Sequence, residues 1–446
     1  MKVLKFGGSS VRDPQMILRV IDIARACLGE APILVSSAMG KTTDMLEAAA
    51  ASAEAGERSR AEQLIDRIES DHVHAAKALS TGSEREPLMT AVATLSAELR
   101  SLIHGITLIR ECSPRSMDAV LSFGERLSTT IIAAAARERG LNATLVDART
   151  LIRTDASFTA ASPDLEATTA LVSDRLDPQP GSLIVTQGFI ASTTEGVTTT
   201  LGRGGSDFTA TILGAALGAD VVEIWTDVDG IMTADPRVID GARTIPAISY
   251  DEAAELAYFG AKVVHPYTIL PAVQREIPVW VKNTSSPESP GTRITGQADG
   301  TGIRAVASKS GITLVTVRSS RMLNAYGFLR ALFAVFDRHK VSVDLVATSE
   351  VSVSMTVDGD TGLGLLEHDL QELGQVEIER GKSIVCLVGR DLFERSGFVA
   401  EVFAAVDPAH VRLISLGASE INLSLVVDEG ETEGVLRRLH EKLLAP

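Results

Sequence analysis

Short apolar runs, each closed by a glycine-rich loop, alternate with amphipathic stretches through the first two-thirds of the chain. Val3 to Phe6 is one such run and predicts a strand, followed by the loop Gly7-Gly8-Ser9-Ser10. Asp13 then caps, and Pro14 opens, a helix in which Ile17, Val20, Ile21 and Ala24 recur at helical spacing. Ile33 to Ser36 predicts a second, buried strand, and a loop runs on through Gly40 to Asp44. Strand, loop, helix and strand again is the signature of a mainly parallel sheet covered by helices. Residues from about 45 to 110 are rich in Ala, Glu and Arg and read as helical, and the α/β pattern resumes near 140–146 and 183–186. Thr198 to Leu201 predicts a strand, Phe208 to Leu217 an Ala-rich helix closed by Gly218, and Val221 to Trp225 another strand. A capping box from Ser249 to Glu252 opens a further helix that ends near Phe259.

The pattern changes after residue 284. Residues 284–302 are rich in Pro, Gly, Ser and Thr and read as a connection between domains. Beyond it the chain repeats itself. Gly327-Phe328 matches Gly397-Phe398, Phe333 matches Phe403, Ser349-Glu350 matches Ser419-Glu420, and Asp358 matches Asp428, always 70 residues apart. A constant offset indicates two copies of one supersecondary unit. Each copy reads as a strand (313–317; 383–388), a helix (328–338; 398–406) and a half-buried alternating strand (351–357; 421–427), with a last helix from Thr432 to Leu444.

Composition narrows the class. With 446 residues, two to three domains are expected, and 45% hydrophobic against 22% charged residues is a globular balance. The net charge of −16 and an aromatic content of 4% supply neither a basic stripe nor stacking platforms for nucleic acid. Cys27, Cys112 and Cys386 are widely spaced and form no CxxC, so neither a disulfide framework nor a zinc site is expected. Asp71, His72 and His74 lie in a charged helical stretch and read as surface rather than metal ligands. The N-terminal residues enter a strand directly, and no uncharged apolar run has the length of a membrane span. A cytoplasmic protein without membrane contact is the expectation.

Four segments carry candidate chemistry. In Lys5-Phe6-Gly7-Gly8-Ser9-Ser10, two glycines at a strand's end let backbone N–H groups approach an anion, with the Lys5 ammonium beside them. In Thr200-Leu201-Gly202-Arg203-Gly204-Gly205-Ser206-Asp207, a glycine-rich loop enters a helix, Arg203 offers a fork for carboxylate or phosphate, and Asp207 opens the helix. Trp225-Thr226-Asp227-Val228-Asp229-Gly230, with Asp235-Pro236-Arg237 after it, follows another strand, although Asp-Gly and Asp-Pro are also ordinary turn residues. Phe259-Gly260-Ala261-Lys262-Val263-Val264-His265-Pro266 ends a helix, where Lys262 either balances the dipole or reaches a nucleotide. Gly40-Lys41-Thr42 is not a P-loop, because Val35 stands where the first glycine is required.

Together the segments KFGGSSV (5–11), SSAMGKTTD (36–44), SFGERLS (122–128), TLGRGGSDFTA (200–210), WTDVDGIMTADPR (225–237) and FGAKVVHP (259–266) resemble the aspartate kinases of the amino-acid kinase family, in order and across essentially the whole chain. The repeated unit resembles paired ACT domains, and the likeness is to the monofunctional, lysine-sensitive type. The resemblance implies an αβα sandwich with a mainly parallel sheet over residues 1–285, a linker at 286–302, and two ferredoxin-like βαββαβ units at 303–378 and 379–446. It implies phosphorylation of L-aspartate by ATP, carried with Mg²⁺, to give 4-phospho-L-aspartate, the first step toward lysine, threonine and methionine. It also implies a homodimer or homotetramer joined through ACT domains.

Carried over position by position, the resemblance makes Lys5 and Asp207 catalytic, and has Gly7, Gly8, Ser9, Gly204 and Gly205 cradle phosphate. It places aspartate against Ser37, Thr43, Glu125, Phe189 and Arg203, with Glu125 on the α-ammonium and Arg203 on the α-carboxylate. It places ATP against Thr226, Asp227, Met232, Arg237, Lys262 and Val263; some relatives carry tyrosine at the Met232 position. An effector, lysine with threonine as its competitor, would meet Met322, Gly327, Phe328, Leu329, Val343, Asp344, Thr348, Ser349 and Glu350, with Asp344 or Glu350 taking its ammonium. No dedicated metal site is implied. Two other readings remain at this level: a kinase of another small carboxylate or of uridylate, and an inactive sensor that only binds nucleotide and amino acid.

Overall fold

Val3, Leu4 and Phe6, with Ile33, Leu34 and Val35 beside them, are wholly withdrawn from solvent, as strands covered on both faces must be. The computed structural model describes residues 1–260, 264–298, 300–323, 326–359, 362–394, 396–417 and 419–444. The chain divides into two compact units, one of Met1–Ile231, Pro246–Tyr250 and Val263–Ala298, the other of Met232–Ile245, Asp251–Lys262 and Asp299–Pro446.

In chain order the elements up to residue 295 are β1 (Lys2–Phe6), α1 (Pro14–Ala26), β2 (Ile33–Ser36), α2 (Thr42–Glu54), α3 (Arg58–Leu79), α4 (Arg85–Ile109), α5 (Pro114–Glu138), β3 (Asn142–Val146), α6 (Leu165–Arg175), β4 (Ser182–Gln187), β5 (Ile190–Ser192), β6 (Thr198–Thr200), α7 (Gly205–Leu217), β7 (Val221–Thr226), β8 (Ala247–Ser249), α8 (Tyr250–Tyr258), α9 (Pro266–Gln274), β9 (Val279–Asn283) and β10 (Thr292–Thr295). Eight strands form one sheet in the order β3-β4-β2-β1-β7-β9-β10-β8. Every pairing is parallel except that of β9 with β10. β1 is central, with Lys5 level with Val35 of β2 and Ile224 of β7. As the sequence predicts, the Asp13 carboxylate caps α1 by accepting from the Met16 N–H at 2.9 Å.

The helical reading of residues 45–110 holds, while the linker and the surface placement of His72 change. The helical stretch from residue 45 is three helices, α2 to α4, packed against a fourth, α5, in one continuous core. Part of the segment read as linker is β10, because Thr292 and Ile294 alternate into the sheet; the Pro- and Ser-rich composition belongs only to the turn before it. Among the described residues, α4 is the one helix long and apolar enough to cross a bilayer. It buries Leu88, Val92, Leu99, Ile103 and Ile106 against its neighbours, and its Arg100 pairs with Asp66 at 2.6 Å. His72 is a core residue whose Nδ1 bonds the Ile68 carbonyl at 2.6 Å, one helical turn back.

The second unit is built on β11 (Gly302–Arg318), α10 (Phe328–Arg338), β12 (Val343–Thr348), β13 (Ser352–Asp358), α11 (Leu363–Gln371), β14 (Gln375–Arg390), α12 (Phe398–Val406), β15 (Leu413–Leu416), β16 (Asn422–Asp428) and α13 (Thr432–Leu443). Its six-stranded sheet has the order β12-β13-β11-β14-β16-β15. The repeat is present but the copies interlock. β11 and β14 pair along nearly their whole lengths, from Gly302–Arg390 to Arg318–Gln375. Val315 and Val317 of β11 belong to the first core, with Leu332, Phe336 and Met355. Val306, on the same strand, belongs to the second, with Val385, Phe398 and Leu425. Residues 303–309, grouped at the sequence level with the first repeat, thus complete the second. The segment 232–245 also joins the second core through Ala234 and Ile239. Thr233 is bonded there to the buried His440 of α13 at 3.0 Å.

Candidate active site

Four parallel strands, β1, β2, β4 and β7, release their chains at the same edge of the sheet, where open α/β sheets collect ligands. A cavity of about 310 Å³ opens there. Its lining comes from the loops after β1, β2 and β4, from the first turns of α2 and α7, and from Glu125 of α5.

The Lys5 ammonium lies 2.5 Å from Asp207 Oδ1, and both side chains are about nine-tenths buried. β1 supplies the lysine because position 5 is the strand's penultimate residue, and the helix start supplies the aspartate. Gly204 precedes α7 with φ of +68°, a conformation in which a Cβ is strained. A Cβ there would also lie 2.8 Å from the Thr268 side chain. Gly205, Ser206 and Asp207 then turn the N-terminus of α7 toward the cavity, where unpaired amides and the helix dipole favour an anion. Gly8 is required for proximity: a Cβ would come within 3.0 Å of the Gly40 oxygen and 3.1 Å of the Ala38 oxygen. The cavity therefore has a cation and an amide cup on one side.

Glu125 lines the same cavity, 3% exposed, and its Oε1 accepts from the Ala38 N–H at 3.0 Å. Its Oε2 is buried with no hydrogen-bond partner among the described residues. Burial pushes the Glu125 pKa up to about 8, against the pull of the Ala38 N–H. An unpartnered buried carboxyl facing a cavity is a receptor for a cationic group. Ser37 donates to Ser206 at 2.9 Å, and Thr43 and Phe189 complete this wall. Phe189 has φ of +67°, rare for an aromatic residue, and its N–H donates to Thr209 Oγ1 at 3.0 Å. Arg203 is exposed on the loop between Gly202 and Gly204; those glycines line the cavity and its own side chain does not. Gly7 and Ser9 are half-buried beside the lining residue Gly8. Asp44, Gly202 and Ser206 line the cavity as well, although the motifs alone did not single them out.

The model of the amino acid kinase family matches residues 1–283, and that of an ACT domain matches residues 385–443. Lysine-sensitive aspartokinase 3 of Escherichia coli is 39% identical over 456 residues, covering 99% of this chain and 98% of that one. The chain belongs to the aspartokinases, within the amino acid kinase family. Aspartokinase 1 of Arabidopsis thaliana, a chloroplastic relative, is 38% identical over 98% of this chain and 79% of its own. Among solved structures, E. coli aspartokinase III in complex with aspartate and ADP (R-state) superposes with a TM-score of 0.85 at 40% identity, over the whole of both chains. The same enzyme with lysine and aspartate (T-state) gives 0.84 at 39% identity, again over both chains.

The nucleotide candidates of this aspartokinase fall in different places. Thr226 ends β7 and Asp227 follows it in the first unit, where the threonine hydroxyl donates to the aspartate at 3.1 Å. Met232 and Arg237 belong to the second unit. Arg237 is 88% exposed and grips Asp235 at 2.7 Å. Lys262 and Val263 lie outside the described residues. Of the effector candidates, Met322 and Gly327 precede α10, Phe328 and Leu329 open it, and Val343, Asp344 and Thr348 lie on β12. Ser349 and Glu350 form the turn that follows and are exposed. Asp344 is the buried member, 2% exposed at its side chain, and it already holds a cation: Lys309 Nζ at 3.1 Å. Lys309 also contacts Asp358 at 2.7 Å, and the Tyr258 hydroxyl donates to Asp344. Seventy residues on, the second copy has Ile414 in place of the carboxylate.

Proposed function

We propose that the chain transfers the γ-phosphoryl group of MgATP to the β-carboxylate of L-aspartate, giving ADP and 4-phospho-L-aspartate, and that L-lysine restrains it from the ACT pair. One observation carries the catalytic part: a single cavity holds the Lys5–Asp207 pair, the N-terminus of α7 and the unpartnered Glu125 oxygen. The β-carboxylate is ionised near neutral pH, so its attack needs no general base. The barrier is the approach of one anion to another. Lys5 offsets charge on the moving phosphoryl group, and the loops of Gly7, Gly8 and Ser9 and of Gly204 and Gly205 cradle its oxygens, with the Gly7 and Gly205 N–H groups holding those loops in shape on the Trp225 and Gly202 oxygens. Asp207 fixes Lys5. A magnesium ion carried by the nucleotide would offset its phosphate charge, and the Asp207 and Asp44 carboxylates on the cavity wall would be the oxygen donors suited to it.

Glu125 takes the α-ammonium of aspartate, Arg203 its α-carboxylate, and Ser37, Thr43 and Phe189 close the pocket. Thr226, Asp227, Met232, Arg237, Lys262 and Val263 hold ATP. The effector meets the segments 322–329 and 343–350, its ammonium directed to Asp344 or Glu350. The enzyme is cytoplasmic and assembles as a homodimer or homotetramer through its ACT units.

The test is acyl-phosphate formation, trapped with hydroxylamine, using aspartate, glutamate and N-acetylglutamate in parallel, with ADP release measured for uridylate, whose product is a phosphoanhydride that hydroxylamine does not trap. Turnover with aspartate and inhibition by millimolar lysine are expected. Preference for another acceptor would replace the substrate assignment, and no turnover with any would make the chain a sensor.

A further inference from the structure

Asp118 is completely buried on α5, two helical turns before Glu125, and the phosphoryl transfer makes no use of it. Its hydrogen bonds all come from uncharged donors. The Thr159 N–H reaches both carboxylate oxygens, at 3.1 and 3.0 Å. The Thr200 N–H donates to Oδ2 at 3.0 Å and the Thr200 hydroxyl to Oδ1 at 2.7 Å. Burying a carboxylate is costly unless such donors satisfy it, so the arrangement must hold something in place.

What it holds is the base of the Arg203 loop. Thr200 is the last residue of β6, three positions before Arg203. Thr159 has φ of +72°, unusual for a β-branched residue. The Ala161 N–H bonds the Thr200 oxygen at 2.9 Å. A Cβ on Gly202 would stand 3.4 Å from the Thr159 oxygen and 3.5 Å from Ala160, so the 159–160 backbone lies directly against the loop. The Gly205 N–H closes the loop on the Gly202 oxygen at 3.0 Å. One carboxylate thus clamps the two backbone segments that support Gly202, Arg203 and Gly204.

We propose that Asp118 is a positioning residue for the acceptor substrate: by clamping Thr159 and Thr200 it fixes the loop from which Arg203 meets the α-carboxylate of aspartate. Because α5 also bears Glu125, one helix sets the spacing between the groups that receive the two ends of the amino acid. This inference rests on the assignment of Arg203 to the α-carboxylate.

Kinetics with the full-length enzyme test it. In Asp118→Asn an amide N–H₂ faces donors it cannot satisfy. The KM for aspartate is expected to rise about tenfold, with kcat and the KM for ATP within about twofold. Thr200→Val removes only the hydroxyl donor while keeping the shape, and should raise the same KM about threefold; it serves if the first variant does not fold. Since Asp118 acts through Arg203, adding Asp118→Asn to Arg203→Ala should change the KM by less than about twofold. Additive losses, equal losses for both substrates, or an unchanged KM in Thr200→Val would each overturn the proposal. If Arg203→Ala alone leaves the aspartate KM unchanged, the Arg203 assignment fails instead, and a rise in Asp118→Asn would then have another origin.

Discussion

Lys5, near the end of the central strand β1, and Asp207, in the first turn of α7, both line the cavity and meet at 2.5 Å. The pair holds an ammonium at the strand edge without letting it fold back into the sheet. Replacing it by an isosteric apolar chain, Lys5→Met, should lower kcat by about 10²- to 10³-fold, the cost typical of losing one group that stabilises developing charge. The KM for aspartate should move far less. Steady-state ADP release, with circular dichroism as the folding control, decides; turnover within a few-fold of the parent would remove Lys5 from the mechanism.

Glu125 gives a pH dependence with a definite sign. Its pKa in the empty site is pushed up to about 8 by burial, so near neutrality it carries a proton. The α-ammonium of aspartate favours the ionised form, and binding must expel that proton. The KM for aspartate should therefore fall as pH rises toward 8, by up to about tenfold per unit on the steep limb, and level off above. Glu125→Gln should show a high KM without this slope. Folding shows the opposite trend: the unfolded carboxyl ionises near 4.5, so this residue's contribution to stability is lost as pH climbs from there to about 8. A KM independent of pH in the parent enzyme would rule out Glu125 as the ammonium's partner.

The Gly8 backbone offers a steric test. Gly8→Ala places a methyl 3.0 and 3.1 Å from two main-chain oxygens, which cannot turn away as side chains can. The loop after β1 should shift, at a cost of about 1–3 kcal/mol, which lowers Tm by several degrees. The KM for ATP should rise more than that for aspartate. Calorimetry and initial rates measure both.

Asp344 bears on regulation. Its buried carboxylate is neutralised by Lys309 of the same chain, so an incoming lysine must displace an ammonium like its own. Lys309→Met removes that internal competitor. Half-inhibition by lysine should then occur at about five- to tenfold lower concentration, since only differential affinity shifts the balance of conformations. An unchanged or raised half-inhibition point would show that Asp344 is not the effector's anchor.

Much of the first unit was legible in the sequence because its strands are buried on both faces and end in glycines. Val3–Phe6, Ile33–Ser36 and Val221–Trp225 could be placed from the pattern of apolar residues, and the loops after the first two line the cavity. Hidden features depend on distant partners. β10 was obscured by its Pro- and Ser-rich neighbours, although Thr292 and Ile294 carry the alternation. Residues 303–309 look like part of the first repeat because they precede it directly; only their pairing with residues 384–390 assigns them to the second core. Asp118 lies just before a recognisable motif, but nothing local announces that its partners are 41 and 82 residues away.

That exchange of strands makes the sensor a single mechanical part. A cut at the apparent boundary between residues 378 and 379 would pass through β14 and strand the stretch containing Val306 away from the core it fills. Each copy excised there would lose strand pairing that its core uses. β11, at 17 residues and roughly 50 Å, runs under both copies, and the register shifts around Lys309 and Ile312 mark where one copy's share of it gives way to the other's.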